Sequence, residues 1–116
     1  MDTKHVFLVD DDQIFRTATT VLLQREIKEI QISEFKNGME VYDKLMALER
    51  NNETLPDIIL LDINMPLMNG WEFLEELREC PSELRNAIDI HILTSSIAPE
   101  DMNLSLSYDF IKGYIT

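Results

Sequence analysis

Two short stretches of the chain are apolar at every position, and both end in carboxylates. Val6-Phe7-Leu8-Val9 runs into Asp10-Asp11-Asp12, and Ile58-Ile59-Leu60-Leu61 runs into Asp62. A short apolar run without polar alternation is what a strand buried on both faces requires, as in a parallel sheet. Ile30-Gln31-Ile32-Ser33-Glu34-Phe35 alternates instead, as a more exposed strand near an edge does. A fourth strand is expected over residues 88–93, closing in Thr94-Ser95-Ser96, and a fifth lies within residues 108–115. Between these runs the apolar spacing changes to that of helices. Ile14, Ala18, Val21, Leu22 and Arg25 share helical spacings over Gln13–Glu26, and Asp12 can cap that helix. Val41, Leu45, Met46 and Leu48 mark a helix over residues 39–50. Phe73, Leu74 and Leu77 mark the inward side of one over residues 71–79, which Pro81 ends. Pro99 starts a short helix through residue 106.

This alternation of strand and helix predicts an α/β domain with a parallel sheet and right-handed crossovers. With 116 residues the chain holds one core. There are no repeats and no low-complexity tract. A net charge of −12 sets it against direct nucleic-acid binding and favours cations or basic protein surfaces. No apolar run approaches the ~20 residues that span a bilayer. The first residues lack the basic segment of a secretory signal, and Cys80 is the only cysteine, so a reducing cytoplasm is the expected setting.

Three strand ends bring polar groups to one edge of such a sheet: Asp10 and Asp11, Asp62, and Thr94. In open α/β sheets that edge is where ligands bind. Two bare charges ~4 Å apart repel by roughly 4 kcal/mol at an effective dielectric of 20. A divalent cation relieves this, and all-oxygen ligands suit Mg²⁺. Asp62 can then act as a nucleophile toward a phosphoryl group, with Thr94 hydrogen-bonding a phosphoryl oxygen. No general base is needed, so His5 and His91 are not assigned a chemical role. Asp57 and Asp89 precede strands at the opposite edge and read as structural or solvated. Trp71 reads as packing at a helix start.

Leu8-Val9-Asp10-Asp11-Asp12, then Leu61-Asp62-Ile63-Asn64-Met65-Pro66 with Gly70 following, then Leu93-Thr94-Ser95, resemble the receiver domain of two-component response regulators. The resemblance covers nearly the whole chain. It implies a doubly wound, flavodoxin-like sheet of five parallel strands in the order 2-1-3-4-5. It makes Asp62 the phosphoacceptor. It has Asp11, Asp62 and the backbone carbonyl of Asn64 hold Mg²⁺ directly, with Asp10 acting through water. Thr94 becomes the switch hydroxyl, Ser95 the small residue beside it, and Tyr114 the switch aromatic. A sensor histidine kinase or phosphotransfer protein would donate the phosphoryl group, and an unidentified downstream effector would read the result. Catalysis would extend only to self-phosphorylation and autodephosphorylation.

Receivers also carry a lysine and proline at the end of the fifth strand, in the pattern Gly-Tyr-x-x-Lys-Pro. Gly113-Tyr114-Ile115-Thr116 fits that pattern with the lysine as the next residue. On this alignment residues 1–116 are a receiver domain that is incomplete at its C-terminus. The fifth helix is then absent, and an uncovered apolar face favours self-association. The alternative takes Lys112 as the lysine, which would end the last strand at Ile111. Two other readings are weighed. A phosphorylation-independent interaction module would not need the complete acidic set. A phosphatase passing through an aspartyl-phosphate needs a second acid near the nucleophile, but Asn64 stands two residues after Asp62.

Overall fold

The computed structural model describes residues 3–94 and 98–115. In it the two apolar runs lie side by side. β1 (Lys4–Val9) and β3 (Ile58–Leu61) pair in parallel, with Phe7 opposite Ile59 and Val9 opposite Leu61. β2 (Ile30–Phe35) flanks β1 at the outer edge, as its alternating pattern predicts. β4 (Asp89–Leu93) and β5 (Ile111–Ile115) extend the sheet on the other side. The order is β2-β1-β3-β4-β5, with every pair parallel.

The helices are α1 (Gln13–Glu26), α2 (Gly38–Arg50), α3 (Gly70–Arg78), α4 (Ser82–Asn86) and α5 (Pro99–Ser105). The chain steps from β1 outward to β2, then reverses across β1 to β3. Right-handed crossovers therefore put α1 on one face of the sheet and α2 and α3 on the other. The core forms on the α2–α3 side. Val41 and Leu45 of α2 and Phe73, Leu74 and Leu77 of α3 pack on Phe7, Val9, Ile59, Leu61, Ile90 and Ile92. Asn37 and Asn69 cap these helices, the latter through a reciprocal box in which Asn69 Oδ1 accepts from Glu72 N–H and Glu72 Oε1 from Asn69 N–H.

The α1 side is built differently. No residue of α1 is fully buried. Its apolar stripe lines an open groove of about 610 Å³, and Ile14 is 81% exposed. Leu60, His91 and Leu93 on that face of the sheet are only half-buried.

Two expectations change. The number of helices is five among the described residues, because Ser82–Asn86 forms a short helix that the sequence reading ran through as a break. Pro81 ends α3 but also stands at the N-cap of α4, where its restricted φ of −55° fits. The last strand starts at Ile111, where the Lys112 alternative would have it end. Lys112 is instead the extra residue of a β-bulge, since Ile90 faces Ile111 while His91 faces Gly113.

Candidate functional site

The site begins with the reversal of chain direction between β1 and β3. Both strands point their C-terminal ends at the same crevice, which the fold makes the natural ligand position. Asp10 follows β1 directly and Asp62 follows β3 directly. The main chain there is pinned: Asp10 N–H donates to Phe35 O at 3.0 Å and Asp62 N–H to Val9 O at 2.9 Å.

Carboxylate oxygens of Asp10, Asp11 and Asp62 lie within 4.8 Å of one another. Asp10 is buried at 8% exposure, Asp62 is half-buried and Asp11 is exposed. Together with Asp12, Phe15, Asn64, Leu93 and Thr94 they line a cleft of about 510 Å³. The sequence-predicted Asp10, Asp11, Asp62, Asn64 and Thr94 thus meet in one place. Tyr114 is not among the lining residues; half-buried, it packs on the core opposite Ile92. Ser95 lies outside the described residues. Lys112 lines a separate hollow with Ser105, Tyr108 and Gly113.

Electrostatics mark the cluster as under tension. Burial raises the Asp10 carboxyl to about 6, opposed by the hydrogen bond from Asp12 N–H and reinforced by the charges of Asp62, Asp11 and Asp12. Asp62 is also shifted up, first by burial. Hydrogen bonds from the backbone of Asn64 and Ile63 act against that shift, Asp11 adds to it, and the Thr94 hydroxyl opposes it. A positive charge placed near these two carboxylates would favour their ionised forms. The donors are all oxygen, from one exposed and two more buried carboxylates, which suits a hard divalent ion such as Mg²⁺.

Neighbouring residues hold these groups in place. Asp12 caps α1, its Oδ1 accepting from Ile14 N–H at 2.9 Å and Phe15 N–H at 3.2 Å. Arg16 reaches back so that its guanidinium donates to Asp10 O at 2.6 Å and to Glu34 at 3.1 Å. On the other side, a Cβ on Gly70 would sit 2.6 Å from Asp62 O and 2.7 Å from Ile63 Cα. Only glycine lets the start of α3 come this close to the backbone of the nucleophile candidate. Leu67, in the loop between, has φ +65° and is 82% exposed, an uncommon conformation for leucine.

Sequence reasoning passed over Phe15 and Arg16. Both fall outside the stripe that defines α1 as a helix. Their position three and four residues past the Asp10-Asp11-Asp12 motif was the available signal. Asp57 does prove structural, accepting from His5 N–H at 2.9 Å. Trp71 packs, stacked on Tyr108 at 5.9 Å.

Known proteins resemble this chain in sequence and in fold. The chain is 35% identical over 113 residues to a protein-glutamate methylesterase/protein-glutamine glutaminase of Desulfotalea psychrophila, covering 96% of this chain and 29% of that protein. It is 36% identical over 74 residues to the nitrate/nitrite response regulator protein NarL of Escherichia coli, covering 64% of this chain and 32% of that one. It therefore spans less than a third of the length of either relative. Among solved structures, a two-component response regulator from Cytophaga hutchinsonii superposes with a TM-score of 0.88 at 28% identity, over 99% of this chain and 86% of that one. The phosphorylated cyanobacterial phytochrome response regulator RcpA gives 0.84 at 28% identity, over 99% and 81%. The Mn²⁺-bound response regulator Rcp1 gives 0.81 at 25% identity, over 97% and 80%. No helix among the described residues is long and apolar enough to cross a membrane. The family profile of the response regulator receiver domain matches residues 6–116, and the chain belongs to that family.

Proposed function

We propose that this chain is a phosphoacceptor switch, taking a phosphoryl group onto Asp62 from a sensor histidine kinase or a phosphotransfer protein. The observation that carries this reading is the convergence of Asp10, Asp11 and Asp62 oxygens within 4.8 Å, in the cleft that Thr94 also lines. Two structural neighbours add support, one being a phosphorylated form and the other Mn²⁺-bound.

In this reading Asp11, Asp62 and the backbone carbonyl of Asn64 would hold Mg²⁺, with Asp10 acting through water. The ion, when bound, supplies positive charge that offsets the carboxylates and the phosphoryl oxygens. Asp62 is the nucleophile: an oxygen of its carboxylate forms the bond to phosphorus as the donor's bond breaks. Desolvation, which raises its pKa in the bare site, also strips water from the attacking oxygen. Asp10 keeps the Asp12 N–H in place and with it the first turn of α1. Thr94 hydrogen-bonds the new phosphoryl group, and its movement makes room for Tyr114 to turn inward. The surface of α5 and β5 then changes, biasing a two-state equilibrium that an effector reads.

Activity beyond self-phosphorylation and autodephosphorylation is not part of this reading. The methylesterase and NarL names belong to whole proteins of which this chain matches less than a third. A cytoplasmic setting follows from the kinase partner. With an excess of carboxylates, the domain does not bind nucleic acid itself.

The test is incubation with Mg²⁺ and acetyl phosphate, followed by intact-mass and peptide mass spectrometry. One phosphoryl adduct on Asp62, lost in D62N and in the presence of EDTA, is expected. No adduct, or one on another residue, would overturn the assignment. Steady release of phosphate from unrelated monoesters would replace it with the phosphatase reading.

A further inference from the structure

Phe15 has no place in the core. It is absent from the buried cluster and from the side chains packed against it, and no ring among the described residues pairs with it. It is 37% exposed. Yet it is the sole aromatic among the described residues lining the cleft that holds Asp62 and Thr94. Its backbone is fixed twice over, by its own N–H to Asp12 Oδ1 and by the neighbouring Arg16 bound to Asp10 O. Other apolar residues of α1 are more exposed, but Phe15 alone among its large apolar side chains lines the charged cleft, where its ring is open to a ligand.

We propose that Phe15 is a donor-selecting wall: its ring packs against the imidazole of an incoming phosphohistidine and orients it for transfer to Asp62. This rests on the phosphoacceptor reading. An imidazole offers a flat π face and a polarised edge that a phenyl ring can meet in offset or edge-on contact. An acyl phosphate offers neither. The cleft, about 510 Å³, has room for a phosphoryl group and a five-membered ring together. In the transfer, the P–N bond of the donor breaks with its electron pair left on nitrogen, and a P–O bond to Asp62 forms. Because the other ring nitrogen is protonated, neutral imidazole leaves. Phe15 contributes by holding the ring so that nitrogen, phosphorus and the Asp62 oxygen align.

Initial rates of Asp62 adduct formation, measured by intact-mass spectrometry with Mg²⁺ and either N-phosphoimidazole or acetyl phosphate, test this. The imidazole-to-acyl rate ratio should fall about five-fold in F15A, the scale of one aromatic contact. It should fall likewise in F15L, which keeps apolar bulk, and hold in F15Y. A ratio unchanged in F15A or F15L would overturn the proposal, as would an equal loss in F15Y. Should wild type take up phosphoryl groups from neither donor, the phosphoacceptor reading fails and this inference with it. Melting temperatures of the three variants separate a donor effect from loss of fold.

Discussion

Replacing Asp10 by asparagine should make the metal-free protein more stable, although it removes a charge from the site's centre. Asp10 sits 8% exposed among three other carboxylates, and burial raises its pKa to about 6. In the unfolded chain the value returns to ~3.9. The folded state thus holds the proton more tightly than the unfolded one, so ionisation works against folding. That penalty is absent below about pH 4, grows between 4 and 6, and is complete above about 6. From the two pKa values it amounts to ~3 kcal/mol, and solvent in the open cleft reduces it to about 2 kcal/mol. Asparagine retains an oxygen for the Asp12 N–H, which donates to Asp10 Oδ1 at 2.9 Å, so the loop keeps its anchor. In EDTA at pH 7.5, D10N should melt roughly 6–12 °C above wild type. At pH 4.5 the gap should shrink to less than half. Added Mg²⁺ should raise wild type more than the variant, closing the gap from the other side. A D10N protein that is less stable at pH 7.5, or a gap of undiminished size at pH 4.5, would refute the reasoning.

Gly70→Ala should cost about 1–3 kcal/mol in urea unfolding and also slow Asp62 phosphorylation, because the new methyl meets Asp62 O at 2.6 Å and one of the two must move. Arg85→Ala should cost about 1–3 kcal/mol, since its Nη1 donates to the carbonyls of Leu77, Arg78 and Cys80 at 3.3, 3.1 and 2.5 Å, closing the end of α3. A second copy of the chain is the expected occupant of the groove beside α1, whose lining residues include no carboxylate while the chain as a whole carries −12. Val21→Asp should therefore shift sedimentation toward the monomer, and an unchanged distribution would exclude that face as the contact.

Most of the fold could be read from the chain because the strongest signals were local. The bounds of Gln13–Glu26, Ile30–Phe35 and Ile58–Leu61 coincide with the expected ones, since an acid, a proline or a polar loop punctuates each run. The carboxylate cluster was legible for the same reason: each acid directly follows an apolar strand, and parallel strands share one C-terminal edge. What escaped was non-local or too short. Ser82–Asn86 makes barely more than one turn, which leaves no period to detect. The bulge at Lys112 depends on how β5 meets β4, and nothing in residues 108–115 alone reveals it. Burial of the α1 stripe was the least predictable. Helical spacing tells which residues share a side, but the presence of a neighbour for that side is a property of the rest of the fold.

The helix with the least anchorage to the body of the protein starts at the cluster with the most charge. α1 buries no residue fully, and its first turn hangs on Asp12, Asp10 and the Arg16 tether. Whatever steadies those acids also fastens the helix, and whatever strips them lets it fray. Amide exchange along residues 13–26 would then follow cation loading at the acid cluster, making the helix that buries no residue fully a gauge of the state of the site.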